Sequence, residues 1–266
     1  MIHPSCLIIA GSDSSAGAGI QADLKTFSYH NVYASTCFTA LTAQNTQGVD
    51  KVVTLSPDFI EEQIKSITKD LKIKFIKIGM LSNVDSILAI EKCIKRYLKE
   101  IPIILDPVMV AKGGHTLLEE DAINFLIKKI IPKSFLITPN LPEAERILQI
   151  EMKNKQQMKA NIKSFRKLGI KNVLLKGGHL EEKSENILDL LLENSDVNSF
   201  ESPFIKTNNT HGTGCSLASA LTSNLFLGES LYTSTKNARN FVFNGIKRSF
   251  KIGHGHSPIN HFRDKY

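Results

Sequence analysis

The sequence predicts an α/β protein built on a mostly parallel central sheet, and two observations carry that expectation. Short continuous apolar runs, such as Cys6-Leu7-Ile8-Ile9-Ala10 and Ile101-Pro102-Ile103-Ile104-Leu105, have the make-up of strands buried on both faces. They alternate with stretches of helical periodicity, as successive β/α units do. At 266 residues, 42% hydrophobic and 22% charged, the chain is long enough for one large domain. No repeat or linker divides it, so a single domain over 1–266 is the simplest reading.

In chain order, the first strand ends in Gly11-Ser12-Asp13, and a helix starts between Ala16 and Gly19 and runs to His30. Its junction, Gly17-Ala18-Gly19-Ile20-Gln21-Ala22, fits the dinucleotide pattern G-x-G-x-x-A, but no acidic residue follows between Asp23 and Asp50 to hold a ribose. The glycines are therefore read as a close backbone approach to a smaller ligand. Residues 34–42 read as one strand and 52–55 as another, and Ser56-Pro57-Asp58 opens a helix. A strand over 73–78 ends in Gly79-Met80-Leu81, and Asn83 caps a helix to about Leu98. The strand at 101–105 closes on Asp106-Pro107-Val108-Met109; a helix spans 119–130; a strand at 135–138 precedes Pro139-Asn140-Leu141-Pro142-Glu143. Helices follow at 142–148 and 156–168, then a strand at 173–175 ending in Lys176-Gly177-Gly178-His179 and a ribbon from 187–192 and 199–205. The last two helices run up to Gly228, placed as a C-cap, and from the capping Ser230 to about Phe250.

Composition excludes several functions. The net charge of +7 comes from lysines spread at helical spacing, and the densest basic stretch, 153–171, has Phe165 as its only aromatic, so no nucleic-acid partner is expected. A basic surface does attract phosphorylated small molecules. Cys6, Cys37, Cys93 and Cys215 lie far apart without a Cys-x-x-Cys pair, which argues against zinc sites and disulfides and fits a reducing cytoplasm. No apolar run approaches the ~20 residues of a membrane span, and the N-terminus lacks the basic region of a signal peptide.

Asn209-Thr210-His211-Gly212-Thr213-Gly214-Cys215 reads as a loop entering a helix. Its glycines allow close approach, its first N–H groups suit anionic oxygens, and Cys215 at a helix start should ionise more easily than a free thiol. The alternative is a turn capped by Thr210 or Thr213 with Cys215 as a small buried hydrophobe. Gln44-Asn45-Thr46-Gln47 is either a donor and acceptor cluster for a polar heterocycle or an ordinary polar turn. Asp13, Gln44, Met80, Asp106, Asn140, Lys176 and Cys215 all follow predicted strand ends or lie in the closing loop, and so converge on the edge where open parallel sheets bind ligands. Carboxylates with Asn140 suit magnesium and Lys176 suits a phosphate, a set that describes phosphoryl transfer without a Walker loop or protein-kinase signature.

Taken together, Gly11-Ser12-Asp13-Ser14-Ser15-Ala16-Gly17-Ala18-Gly19, Ala40-Leu41-Thr42-Ala43-Gln44-Asn45-Thr46, Asp106-Pro107-Val108-Met109, Thr138-Pro139-Asn140 through Glu143, and His211-Gly212-Thr213-Gly214-Cys215 resemble the bacterial hydroxymethylpyrimidine and phosphomethylpyrimidine kinases of thiamine biosynthesis. The resemblance covers nearly the whole chain. It implies a ribokinase-like three-layer α/β/α fold, a homodimer, ATP with Mg2+, and two successive phosphorylations of 4-amino-5-hydroxymethyl-2-methylpyrimidine. By the same analogy Gln44 reads the pyrimidine edge, with Gly11, Asp23 and Met80 in the same pocket. Lys176, Thr213 and Gly214 hold ATP phosphates, and Asn140, Glu143 and Asp106 face the metal. Cys215 acts as base, and the Gly212 to Cys215 N–H groups stabilise the transferring phosphoryl. A pyridoxal kinase of the same superfamily is the nearest rival, and a non-catalytic pyrimidine sensor a more distant one. The tail 253–262 resembles the family's Gly- and His-rich C-terminal stretch, with Ser257 in place of a more usual Gly, and its three histidines are not read as a metal site.

Overall fold

Ser5–Ala10 (β1) is buried at all six positions, and its alternating side chains feed two separate cores. Leu7 and Ile9 pack on one face of the sheet, Cys6, Ile8 and Ala10 on the other. The same split recurs along the sheet, so each buried strand needs helices on both sides. This computed structural model describes residues 2–110, 117–178 and 185–263.

The strands are β1, Ala34–Phe38 (β2), Ala40–Gln44 (β3), Val49–Thr54 (β4), Ile73–Ile78 (β5), Ile103–Leu105 (β6), Leu136–Ile137 (β7), Asn172–Lys176 (β8), Asn186–Glu193 (β9) and Asp196–Pro203 (β10). The main sheet runs in the order β10-β9-β8-β7-β6-β5-β1-β2. It is parallel from β2 to β8, while β9 and β10 are antiparallel additions. Pro57–Asp70 (α2), Val84–Tyr97 (α3), Glu120–Phe125 (α4), Leu141–Leu148 (α5) and Lys155–Asn161 (α6) supply the core on one face. Gly19–Tyr29 (α1), Thr213–Phe226 (α7) and Leu231–Lys247 (α8) supply that on the other. The layers are α/β/α. Among the described residues, no helix is long and apolar enough to cross a membrane.

Three expectations are corrected. Residues 34–42 form not one strand but two, because the chain leaves the sheet at Thr39. There the backbone N–H donates to the Ala10 carbonyl at 2.9 Å and the hydroxyl to the Met80 carbonyl at 2.7 Å. β3 then pairs with β4 in a separate two-stranded ribbon. The helix read over 119–130 is regular only to Phe125; it widens into a π turn at Leu126–Ile130 and tightens into a 3-10 turn at Ile131–Lys133. Pro132 lacks the N–H that a regular α-helix would use there. The helix at 156–168 likewise becomes a 3-10 turn over Ile162–Leu168, stopped by Gly169 at φ 77°. His179 lies outside the described residues.

Candidate active site

The carboxyl ends of β1, β5, β6, β7 and β8 deliver Asp13, Met80, Asp106, Asn140 and Lys176 to one edge, and a bridge joins Asn140 to Lys176. Asp106 is buried after β6, and its Oδ1 accepts from Lys176 Nζ at 2.9 Å and from Thr138 Oγ1 at 3.0 Å. Burial works against both charges. For Asp106, Lys176 and then Lys77 outweigh it and hold the carboxyl below its ordinary value; for Lys176, Asp106 and Glu143 outweigh it and hold the amine above. The pair is ionised.

Helix α7 starts above this pair. Its N-cap is Gly212 at φ 77°, and no side chain caps the helix, so neither Thr210 nor Thr213 has the role the alternative reading gave it. The first-turn N–H groups of Gly214 and Cys215 are left toward the edge, where a Cβ added at Gly214 would lie 3.3 Å from Asp106 Oδ2 and 3.5 Å from Lys176 Nζ. Anionic oxygens placed here would meet the helix dipole, backbone N–H groups and one lysine together.

The expected easy ionisation of Cys215 is overturned. Burial pushes the thiol up to about 12, and the opposing pull of Lys77 and the Gly19 N–H is too weak to undo it. Burial outweighs the helix start here, and Asp23 and Asp106 add repulsion. Lys77 lies inside β5, fully buried and 2.7 Å from Asp23. Its burial favours the neutral amine, but Asp23, Cys215 and Asp106 outweigh this and raise its pKa. Contrary to the place in the substrate pocket that the resemblance implied, Asp23 does not line a ligand pocket. It is wholly buried on α1, with Lys77 on Oδ2 and the Ser219 hydroxyl donating to Oδ1 at 2.8 Å. Ser219 is one helical turn beyond Cys215, so the ion pair ties α1 and β5 to the base of α7.

A second wall is built by the loop after β1. Asp13, buried, accepts at Oδ1 from the Ser15 N–H and hydroxyl, and at Oδ2 from Gly17 N, Ala18 N and His211 Nε2 (2.8 Å). Burial would raise this carboxyl, but the bonds from His211, Ser15 and Ala18 outweigh it and hold it down to about 2. The glycines of this loop approach protein rather than a ligand, contrary to the sequence reading. A Cβ on Gly17 would strike the His211 ring at 2.3 Å, one on Gly19 the Gly11 carbonyl at 2.4 Å, and one on Gly212 the Gly17 carbonyl at 1.9 Å. Gly11 and Met80 do sit side by side, with Met80 Sδ 2.8 Å from where a Gly11 Cβ would be. Gln44 ends β3, half-buried, with its amide 3.4 Å from His211 Nε2 and 3.2 Å from Thr42 Oγ1.

Asn140 and Glu143 form the capping box of α5: Asn140 Oδ1 accepts from Glu143 N, and Glu143 Oε2 accepts from Asn140 N. Asn140 is thus committed to the helix rather than to a metal. Glu143 keeps a carboxyl near Asp106 and Lys176, and burial, reinforced by Asp106, pushes it up to about 7. No group of three or more His, Cys, Asp and Glu side chains forms a metal cage among the described residues. The tail closes the back of the site. His211 N donates to the Ser257 carbonyl, Gly255 N to Thr46 Oγ1 and His256 N to the Thr46 carbonyl. Ser257 uses its hydroxyl to bond both N and O of Ile252. His261 is buried against Ser216 Oγ, and burial pushes its ring down to about 4.

The phosphomethylpyrimidine kinase profile matches residues 13–260 of this chain. The chain belongs to the phosphomethylpyrimidine kinase family. It is 41% identical over 259 residues to the hydroxymethylpyrimidine/phosphomethylpyrimidine kinase of Bacillus subtilis, covering 97% of this chain and 95% of that one. It is 40% identical over 257 residues to the thiamine biosynthesis bifunctional protein of Geobacter sulfurreducens, of which it spans 52%. Among solved structures, the phosphomethylpyrimidine kinase of Clostridium difficile superposes with a TM-score of 0.80 at 39% identity, over 92% of this chain and 100% of that one. The Bacillus subtilis pyridoxal kinase in its ADP complex superposes at 0.88 and 35% identity, over 97% of each chain. The ribokinase-like α/β/α fold is therefore that of both vitamin kinases. Within this family frame, sequence reasoning missed Lys77, His211, Thr42 and Ser219. His211 and Thr42 stood in quoted motifs without an assigned role, and Lys77 carried a signal of its own, a second lysine toward the apolar end of the strand Ile73-Lys74-Phe75-Ile76-Lys77-Ile78.

Proposed function

We propose that this chain transfers the terminal phosphoryl of ATP to the hydroxymethyl group of 4-amino-5-hydroxymethyl-2-methylpyrimidine, and then a second to the resulting monophosphate. The observation that carries this reading is the meeting of two unlike walls at one sheet edge: an uncapped α7 start over Lys176 and Asp106, and the Gln44 amide beside His211, which is held by Asp13. The hydroxymethyl oxygen attacks the γ-phosphorus, the bond from that phosphorus to the β-γ bridging oxygen breaks, and ADP leaves with the electron pair. The Gly212 to Cys215 N–H groups, Thr213 and Lys176 hold phosphate oxygens through the loose transition state.

Asp106 Oδ2 and Glu143 are the donors that suit Mg2+, a hard cation held by one or two carboxylates with phosphate and water completing its shell. When bound, the ion neutralises charge on the β- and γ-phosphates. For Cys215 to take the hydroxyl proton, loading of the site must lower its thiol from about 12, and Lys77 and the Gly19 N–H are the groups placed to do so. We also propose a cytoplasmic homodimer. The cross-strand partners Leu41 and Val53, exposed on the ribbon, are a surface with apolar area to bury against a second copy.

ADP release measured side by side with the hydroxymethylpyrimidine, its monophosphate and pyridoxal tests the reading. Turnover with both pyrimidines above pyridoxal is expected. Preferred turnover of pyridoxal would move the chain to the rival kinase, and no acceptor-dependent ADP at all would make it a sensor.

A further inference from the structure

Lys176 and Asp189 stand directly opposite each other on the antiparallel strands β8 and β9. Side chains paired in this way share one face of the sheet, with Cβ atoms about 5 Å apart. Leu174 and Leu191, also paired and two residues away on each strand, place that face under α7 and α8. Asp189 is therefore a second carboxylate within reach of the Lys176 amine. Lys176 nonetheless bonds Asp106, at 2.9 Å. The reason lies in what already occupies Asp189. Its Oδ1 accepts from the Gly177 N–H at 2.9 Å and its Oδ2 from Arg239 Nε at 2.7 Å. Arg239 reaches in from α8, its side chain as buried as that of Asp189. It is held there by the Ser202 hydroxyl at 3.2 Å, and its guanidinium lies over the Phe200 ring. Taking Arg239 away would strip a buried carboxylate of its counter-charge, with a lysine directly across from it.

We propose that Arg239 is a positioning residue for phosphoryl transfer: by occupying Asp189 it keeps Lys176 turned toward Asp106 and the α7 start. This rests on the reading of Lys176 as a group that holds ATP phosphates. The two halves of the ion pair then differ in function. Loss of Arg239 turns Asp189 into a competitor for Lys176. Loss of the Asp189 charge removes that competitor, and an asparagine oxygen still accepts from Gly177. A pair that only braced α8 against the sheet would make either loss equally harmful.

The test measures binding of a non-hydrolysable ATP analogue with Mg2+ by calorimetry, and KM for ATP and for the hydroxymethylpyrimidine. It compares the full unsubstituted chain with Arg239→Met, Asp189→Asn and the double variant. Arg239→Met should bind the nucleotide at least ~10-fold more weakly, the loss of one hydrogen bond to a charged group, with KM for the pyrimidine little changed. Asp189→Asn should keep the affinity of the unsubstituted chain, and the double variant should regain it. Equal weakening in the two single variants, or unchanged affinity in a folded Arg239→Met, overturns the proposal. Should Arg239→Met not fold, Arg239→Gln, which can donate to Asp189 without neutralising it, takes its place with the same outcomes. A ligand-free crystal structure of the Arg239 variant adds a readout independent of turnover. Lys176 Nζ on an Asp189 oxygen supports the proposal, and Nζ still on Asp106 refutes it. If the unsubstituted chain binds no nucleotide, the kinase reading fails, and that structure decides the hold on Lys176 by itself.

Discussion

Cys215 shows how far residue identity reaches. Its place at the α7 start was legible, because a glycine-flanked loop before an apolar helix can hardly be anything else. Its chemistry was not, because burial and two neighbouring carboxylates, which hold the thiol near 12, are brought together by distant segments. If Cys215 accepts the substrate proton, Cys215→Ser should lose at least ~100-fold in kcat, since a hydroxyl is a poorer base still; wild-type turnover in that variant would leave the residue a positioning role only. In the ligand-free chain Cys215 should resist alkylation at pH 7 and gain reactivity steeply toward pH 10 and above. Lys77 is the opposite case, a residue whose type alone was the warning. Removing one partner of a buried ion pair leaves the other uncompensated, so Lys77→Met should destabilise by about 3–5 kcal/mol in urea melts. A loss within ~0.5 kcal/mol, typical of exposed sites, would deny the pair its structural weight.

Elements were legible where the local signal was complete. Asn83 and Ser230 cap their helices through their side chains, as read, and the alternation of strands and helices gives the parallel sheet. Failures came where a tertiary contact overrode a local pattern. Thr39 lies in an unbroken strand-like run, and only its bonds to Ala10 and Met80 divert the chain into the ribbon that carries Gln44. The glycines near Gly17 were legible as a close approach, but what they approach is the loop around His211 and Gly212. This docking sets a prediction for the α7 start. Gly212→Ala forces a side chain into a left-handed conformation and against the Gly17 carbonyl, so it should cost at least ~1–2 kcal/mol and raise KM for ATP more than KM for the pyrimidine. Equal stability and unchanged KM values would show that the two loops need not touch.

At the scale of the whole molecule, two carboxyls set opposite pH limits. Asp13 is depressed from 3.8 to about 2, so its contribution, about 2 kcal/mol, is present above pH 4 and is lost as pH falls through 2. Glu143 is raised from 4.5 to about 7, so its contribution is full below pH 4.5 and is lost as pH rises through 7. Ligand-free stability should therefore be greatest near pH 4 to 5 as far as these groups decide it, a point that thermal melts across pH would check. Binding of Mg2+ with nucleotide should draw a proton off Glu143, so calorimetry near pH 6 in buffers of different ionisation enthalpy should show proton release, and Glu143→Gln should abolish it. The most direct measurement is a crystal structure with a non-hydrolysable ATP analogue and the hydroxymethylpyrimidine. The account predicts the terminal phosphate within hydrogen-bonding distance of the Gly214 and Cys215 N–H groups and of Lys176, with the pyrimidine edge against Gln44. A terminal phosphate held elsewhere, or a ring that leaves Gln44 untouched, would contradict it.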